Sequence, residues 1–400
     1  MIHFRNAAAL LALTFVFASD ATAQSGASIF SGVAFGDLPA ATTPSGIGRA
    51  GAETTFLSEK SVSFSNPASW SGLRFVAVQT GLHFEQFRRS EASSSVLGNS
   101  VRLDHFAIGL PVSDTLGISL IAGIHPVSRV DFSYGRTVDV PAGDSTLPGT
   151  SVFSGSGGIS EGLLGLSWSP LDEVSLGASA GALFGTRSDV SRISVSESGF
   201  SDVGFVTTDS YSGFLFRGGL QVVPTDGLTF GVSGTLPATL DVESTTIGLY
   251  ATNIGDDTAS SSTTNTAHEI PIELRAGAQY QMGSATVFAE LLTQAWTSST
   301  LSDVRDRMRA TIGYERVADD APSASGLDVW NLRAGLAYEQ TYVSINGFGI
   351  DEIGVSFGAG IPFARTGILG SGAGIDLGFE IIRRSGGDVE ELALRIGVGL

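Results

Sequence analysis

The sequence contains no cysteine and a single lysine, Lys60. Without thiols there can be no disulfide scaffold, thiolate zinc site, iron–sulfur cluster or cysteine nucleophile. Basic residues number 22 against 40 acidic ones, a formal net charge of −18. A nucleic-acid partner is excluded on the same ground, because neutralising phosphates needs clustered Lys and Arg. Charged residues make up only 16% of the chain. Long apolar runs are missing as well. After the amino terminus nothing approaches the ~20 uninterrupted apolar residues that a membrane helix needs. The longest candidates, such as Leu116 to Ile124, carry Gly and Ser and stop at Pro126. Glycine, by contrast, is abundant at 52 of 400 residues, nearly double the usual ~7%. It shows no Gly-X-Y period, so collagen is excluded.

Residues 1–23 read as a secretory signal peptide. Arg5 supplies the basic start, Ala7 to Phe17 is apolar apart from Thr14, and Ala21-Thr22-Ala23 is a small-x-small cleavage site that would leave Gln24 first. The other reading is a buried amino-terminal helix. An exported chain with positive mean hydropathy and no membrane helix fits a transmembrane β-barrel, whose apolar residues are spread over many short strands. A soluble periplasmic protein is the alternative. The expected location is the bacterial outer membrane, with membrane lipid as a partner and a monomeric state.

Alternation supports strands. Val174, Leu176, Ala178, Ala180, Ala182 and Phe184 fall on one face, and Ser175, Gly177, Ser179 and Gly181 on the other. Met308, Ala310, Ile312 and Tyr314 oppose Arg309, Thr311, Gly313 and Glu315. In a soluble sandwich the charges would meet water, whereas in a membrane barrel they face the lumen. Alternation by itself does not choose between the two. Fourteen strand candidates lie near 73–87, 101–112, 116–127, 157–168, 173–187, 211–223, 227–236, 270–281, 284–295, 307–317, 329–339, 353–361, 373–383 and 391–400. An even count suits a closed bacterial barrel. Short turns follow the second, fourth, sixth and eighth candidates, as at Ser113-Asp114-Thr115 and Pro224-Thr225-Asp226. Longer polar stretches, 188–210 and 237–269, read as external loops, and so does Ser154-Gly155-Ser156-Gly157. The fold class expected is all-β, a transmembrane antiparallel β-barrel of about 14 strands with an amino-terminal plug.

Residues 24–72 carry no alternating run and read as a segment before a barrel spanning 73–400. Gly46 to Gly51 is glycine-dense but lacks the strand–helix context of a dinucleotide site. Gly48-Arg49-Ala50-Gly51, followed some fifteen residues later by Ser65-Asn66-Pro67-Ala68, resembles the hatch signature of the FadL-type transporters of long-chain fatty acids and other hydrophobic compounds. The carboxyl end, Gly378-Phe379-Glu380 to Leu394-Arg395-Ile396-Gly397, is similar to a branch of that family. The final Leu400 departs from the aromatic residue on which many outer-membrane barrels end. The resemblance implies fourteen strands, a hatch formed around Gly48, Gly51, Asn66, Pro67 and Ala68, and passive uptake of a hydrophobic ligand. It further implies lateral exit through a gap at a distorted third strand. Pro126 lies at the end of the third candidate and marks either a kink or the strand's end, because proline removes a ladder hydrogen bond.

Enzyme readings are weak, and neither a cofactor nor a metal is expected. His83, His105 and His125 lie on successive strand candidates, but no spacing makes them converge. No Gly-x-Ser-x-Gly elbow stands in a suitable context. Arg217, Glu273, Arg275, Glu290, Arg309, Glu315, Arg333, Asp376, Glu380 and Arg395 face the lumen in these registers. Their mixed signs suggest a paired network holding the plug rather than an ion-selective ring. Phe56, Leu57, Phe64 and Trp70 are candidate ligand contacts, or simply plug packing. Two other functions remain beside hydrophobic transport: a polar-solute porin and a structural partner in protein export.

Overall fold

The structure is a computed structural model that describes residues 24–25, 28–91, 94–142, 145–195, 202–252, 255–319, 325–345, 347–362, 374–386 and 389–400. The proposed signal peptide lies outside the described residues.

Fourteen antiparallel strands close on themselves. In chain order they are β1 (Ala77–Glu91), β2 (Ser94–Ser113), β3 (Ile118–Pro126, resuming as Val130–Ala142), β4 (Ser145–Leu171), β5 (Val174–Val195), β6 (Val203–Thr225) and β7 (Leu228–Thr235, resuming as Ala238–Thr252). The rest are β8 (Gly255–Ile270, resuming as Glu273–Met282), β9 (Ala285–Gln294), β10 (Arg307–Arg316), β11 (Asn331–Ile345), β12 (Phe348–Pro362), β13 (Gly374–Gly386) and β14 (Val389–Gly399). Each pairs with the next, and β14 pairs with β1 from Gly399↔Gly81 to Glu390↔Ser90. Closure removes the free edges that an open sheet would leave.

Which face points outward decides the solvent. Along β10, Met308 and Ile312 are 45% and 60% exposed, while Arg309 and Glu315 are 5% and 4% exposed. The apolar face therefore points out and the charged face in, the inverse of a soluble sandwich.

Two stretches read as loops are mostly strand. Residues 188–195 and 203–210 extend β5 and β6, and 238–252 pairs with 255–270 as a continuous hairpin. Ser154-Gly155-Ser156-Gly157 likewise lies inside β4, paired with β3 and β5. The reason is physical. Along 260–267 both faces meet water, every residue being exposed. Apolar alternation disappears there, although Ser and Thr keep the ladder hydrogen-bonded.

The amino-terminal segment packs against the inner face of the barrel. Thr43 caps helix α1 (Pro44–Gly48) by accepting from the Gly46 N–H at 3.0 Å. Asn66 caps a 3₁₀ turn (Pro67–Gly72), its Oδ1 accepting from the Ala68 N–H at 3.0 Å. Its amide also donates to the Thr54 carbonyl at 2.8 Å. Gly219 of β6 faces that amide so closely that any β-carbon there would collide with Asn66 Oδ1. Two apolar clusters form between segment and wall. One gathers Phe30, Phe35, Trp296 and Tyr342. The other gathers Val62, Phe64, Trp70, Leu73 and Ile121.

Candidate functional site

The lumen is built from inward-facing ion pairs and the segment they hold. Arg49, fully buried, donates from Nη1 to Glu315 Oε2 at 2.7 Å and lies 3.6 Å from Glu53. Its guanidinium carbon also sits 3.7 Å from the centroid of the Phe56 ring. Glu315 in turn accepts from Arg333 Nε at 2.8 Å, and Arg333 also bonds Asp376. Further along the same strand, Arg309 donates to Glu339 at 2.6 Å and lies 3.3 Å from Glu352 and 3.5 Å from Glu380. Arg395 lies 3.2 Å from Glu85 and 3.5 Å from Glu380. Arg275 pairs with Glu273 at 2.8 Å and Glu290 at 3.4 Å. Glu290 also accepts from the backbone N–H groups of Glu53 and Thr54, both at 2.8 Å. Arg217 reaches Glu161 at 3.2 Å, a carboxylate shared with His125 Nε2 at 3.0 Å. A buried charge is tolerated only when paired in this way.

The segment contributes two carboxylates of its own. Asp37 lies 3.1 Å from Arg384 and 3.9 Å from Arg395. Burial pushes its carboxyl above the ordinary aspartate range against the opposing pull of those two arginines. Burial likewise raises the Glu53 carboxyl, opposed by Arg49 and by the Thr43 hydroxyl, which donates to it at 2.7 Å.

Strand β3 does not end at Pro126. Pro126 pairs with Ser160 of β4, after which the N–H groups of Val127 and Ser128 both donate to the single Ile159 carbonyl, at 2.8 and 3.0 Å. Two donors on one acceptor make a bulge. Gly157 and Gly158 of β4 take φ of +122° and +138° opposite it. A β-carbon on Gly158 would strike the Ser128 carbonyl. The β2–β3 ladder runs from Ser113↔Ile118 only to Phe106↔Ile124. Beyond the bulge, Val130–Ala142 pairs with β4 alone among the described residues, while β2 meets the short strand Gln24–Ser25 at Gly98 and Asn99. A seam thus separates upper β2 from upper β3. Asp37 and Arg129 bridge the segment to the bulge through paired backbone hydrogen bonds of 2.8 and 2.9 Å. Arg129 also bonds Asp104, the extra residue of a second bulge in β2.

The predicted residues are distributed as follows. Gly48, Gly51, Asn66, Pro67 and Ala68 are all buried in the segment. Arg217, Glu273, Arg275, Arg309, Glu315, Arg333 and Arg395 all join the ion pairs above. The Phe64 and His125 rings lie 4.4 Å apart between centroids, tilted by 33°, and Phe64 lines a cavity of about 90 Å³ beside the bulge. Trp70 is packed away, its indole N–H donating to the Ser63 carbonyl at 2.6 Å. Phe56 lies against Arg49, and Leu57 lies near Gly72. Among the described residues no three His, Asp or Glu side chains are placed to hold a metal. Sequence reasoning missed Glu85, Glu161, Glu339, Glu352, Arg384 and Asp37. Glu161, already inside the candidate 157–168, and Arg384, one residue beyond the candidate 373–383, were legible from the period of two. Asp37 carries no such signal, since its segment is irregular.

A family model described as BamG matches residues 4–398. The chain belongs to the BamG family. No curated protein matches it in sequence. Among solved structures, this BamG-family barrel is similar to a Pseudomonas aeruginosa FadL homologue, at 14% identity and a TM-score of 0.62 over 90% of this chain and 98% of that one. It is also similar to the CymD monoaromatic hydrocarbon channel, at 13% identity and 0.59 over 89% and 96%. A third is the P. putida toluene transporter TodX, at 14% and 0.53 over 84% and 92%. At this identity the likeness establishes the fold. The FadL-type resemblance read from the hatch and the carboxyl end is thus met at the level of architecture.

Proposed function

We propose that this BamG-family barrel is an outer-membrane passive transporter for hydrophobic compounds, long-chain fatty acids among them. Residues 24–72 serve as its plug, and the seam beside Pro126 serves as a lateral exit. It acts as a monomer, surrounded by lipid. One observation carries the reading: the β2–β3 ladder stops at Phe106↔Ile124, directly beside a cavity that reaches His125 and Pro126. An apolar ligand leaving there would enter lipid without crossing the polar far end of the lumen. The names of the similar solved structures, a toluene transporter and a hydrocarbon channel, agree with this direction.

The porin alternative is disfavoured, because two cavities in the lumen among the described residues hold only about 40 and 90 Å³ and lie between ion pairs. The same closure favours a second reading, a structural partner in protein export, in which the plug never moves. Titrating unlabelled oleate against a bound fluorescent fatty acid tests the first reading. Saturable displacement that is lost on deleting residues 24–72 supports it. A folded barrel with no saturable site overturns it and leaves the second reading, which copurification would then identify.

A further inference from the structure

Above the bulge, β3 to β8 continue as a ladder of long strands. Residues directly opposite one another in such a ladder point to the same side, and side chains along one strand repeat every two residues. Phe132 of β3 lies against Gly32 of the segment, and Arg187 of β5 donates to the Gly32 carbonyl at 2.8 Å. The rows in register with them therefore face inward. One of these is a row of rings. Tyr134 is paired with Phe153, Phe153 with Ser191, Ser191 with Phe205, and Phe205 with Gly248. Tyr134 and Phe153 stack at 5.3 Å between centroids, with planes 21° apart. Phe205 lies over Gly248, where a β-carbon would come within 3.5 Å of its ring. These rings are not core, since Phe205 is 52% exposed and Tyr134 36%. Apolar surface shown to water in one continuous band marks a place of contact.

Directly below the rings runs a polar row. Asp189, Thr207, Thr246 and Ser262 are cross-strand neighbours there. Thr207 and Thr246 share a hydrogen bond of 3.0 Å, and Asp189 accepts from Arg187 at 3.0 Å. An acyl chain laid on the rings would strip water from these groups and return no hydrogen bond, which costs free energy. A pyranose meets both rows. Its C–H groups present the positive edge that a ring face attracts, and its hydroxyls donate and accept. Charge narrows the class further. Arg187 is matched by Asp189, and Arg136, 5.7 Å from the centroid of the Phe153 ring, is balanced by Asp209. A face with two guanidinium groups and two carboxylates does not collect a polyanion.

We infer that the inner face of the upper wall is a binding site for a neutral oligosaccharide chain. The chain lies across the strands, with one pyranose on the Tyr134–Phe153 pair and another on Phe205. Phe153 and Phe205 stand two strands apart, roughly 10 Å. The sugar hydroxyls meet Thr207, Thr246 and Asp189. A glycan anchored in the membrane would stand outside the wall, so the occupant is one that enters from solution. The site lies away from the cavities beside the segment and does not rest on the transport reading.

The test places the full chain in phosphatidylcholine nanodiscs and titrates it with cellohexaose, maltohexaose and mannohexaose. Binding is read by saturation-transfer difference NMR with irradiation of the protein's aromatic protons. At least one hexaose should receive saturable transfer at its ring C–H protons, and an acidic hyaluronan hexamer should receive none. Phe205→Ala should weaken the bound hexaose several-fold, up to about tenfold, the size of one lost ring contact. The same variant should leave displacement of a bound fluorescent fatty acid by oleate unchanged. Thr207→Val keeps the shape and removes the hydroxyl, so it should weaken the hexaose as well. Heat-modifiable mobility checks that each variant folds, and the wild-type transfer stands without them. No saturable transfer to any of the three neutral hexaoses from the folded wild-type barrel overturns the site. Binding that neither substitution changes overturns it too. A Thr207→Val barrel that captures oleate better, with no saccharide bound by wild type, would make the ring row an apolar landing surface only.

Discussion

Arg49 shows how a single side chain fixes the segment. It touches Glu315 on the wall, Glu53 on the segment and the Phe56 ring, with no access to water. Breaking a buried pair from one side typically costs about 3–5 kcal/mol. Arg49→Met should fall at the low end, because Glu315 keeps Arg333. Protease protection of residues 28–72 should drop while the barrel still shows heat-modifiable mobility; unchanged protection would show that Arg49 does not anchor the segment. Asp37 adds a pH dependence. Its folded pKa lies above the unfolded value near 3.8. Its contribution to docking is therefore fully present below that value and lost as pH rises through the raised one. Between acid and neutral pH, protection should fall more steeply in wild type than in Asp37→Asn, and equal slopes would refute the assignment. The lumen arginines on regular strands could be read from the period of two. Asp37 and Glu53 could not, because an irregular segment has no period from which to infer a facing direction.

At the scale of the element, the kink is a joint construction. Pro126 was visible in the sequence as a break but could not be told from a strand end. The deciding residues are Gly157, which closed a stretch read as a loop, and Gly158, read as ordinary strand; both sit opposite the bulge. Only a backbone free to adopt positive φ fits there. Pro126→Ala should therefore change little, since Val127, Ser128 and the glycines still impose the bulge. Gly158→Val should destabilise the barrel by roughly 2 kcal/mol or more, read as a lower urea midpoint for loss of the folded gel mobility. The reverse ranking would place the origin of the kink in the proline. Strand ends were misjudged for one reason: apolar alternation tracks the lipid band, whereas the ladder continues past it.

At the scale of the whole molecule, the proposed transport requires the segment to move, because the two cavities described beside it are too small for an acyl chain. The absence of native cysteine gives a clean test. Ser233 Oγ donates to the Ser65 carbonyl at 2.8 Å, so the two residues are close neighbours across the segment–wall boundary. A Ser65→Cys, Ser233→Cys pair should abolish uptake when oxidised and regain it on reduction. Uptake in the oxidised form would argue for a path that bypasses the segment. The strand count and the outward apolar face were legible because each is a local pattern repeated many times. The seam was not, because it depends on which partner a strand lacks.

The wall is also uneven in height. β4 has 27 residues, whereas β9 and β10 have 10 each. At ~3.3 Å per residue these are roughly 90 and 33 Å long, against an apolar band of about 25 Å. The surplus stands over β3 to β8. The mouth is thus a sloping lip rather than a level ring. A molecule arriving from solution is screened by a parapet on one flank and meets a low sill on the other. Under the proposed transport, diffusive capture would be directional, and whatever sits beside β9 and β10 in the membrane would have the shorter way in.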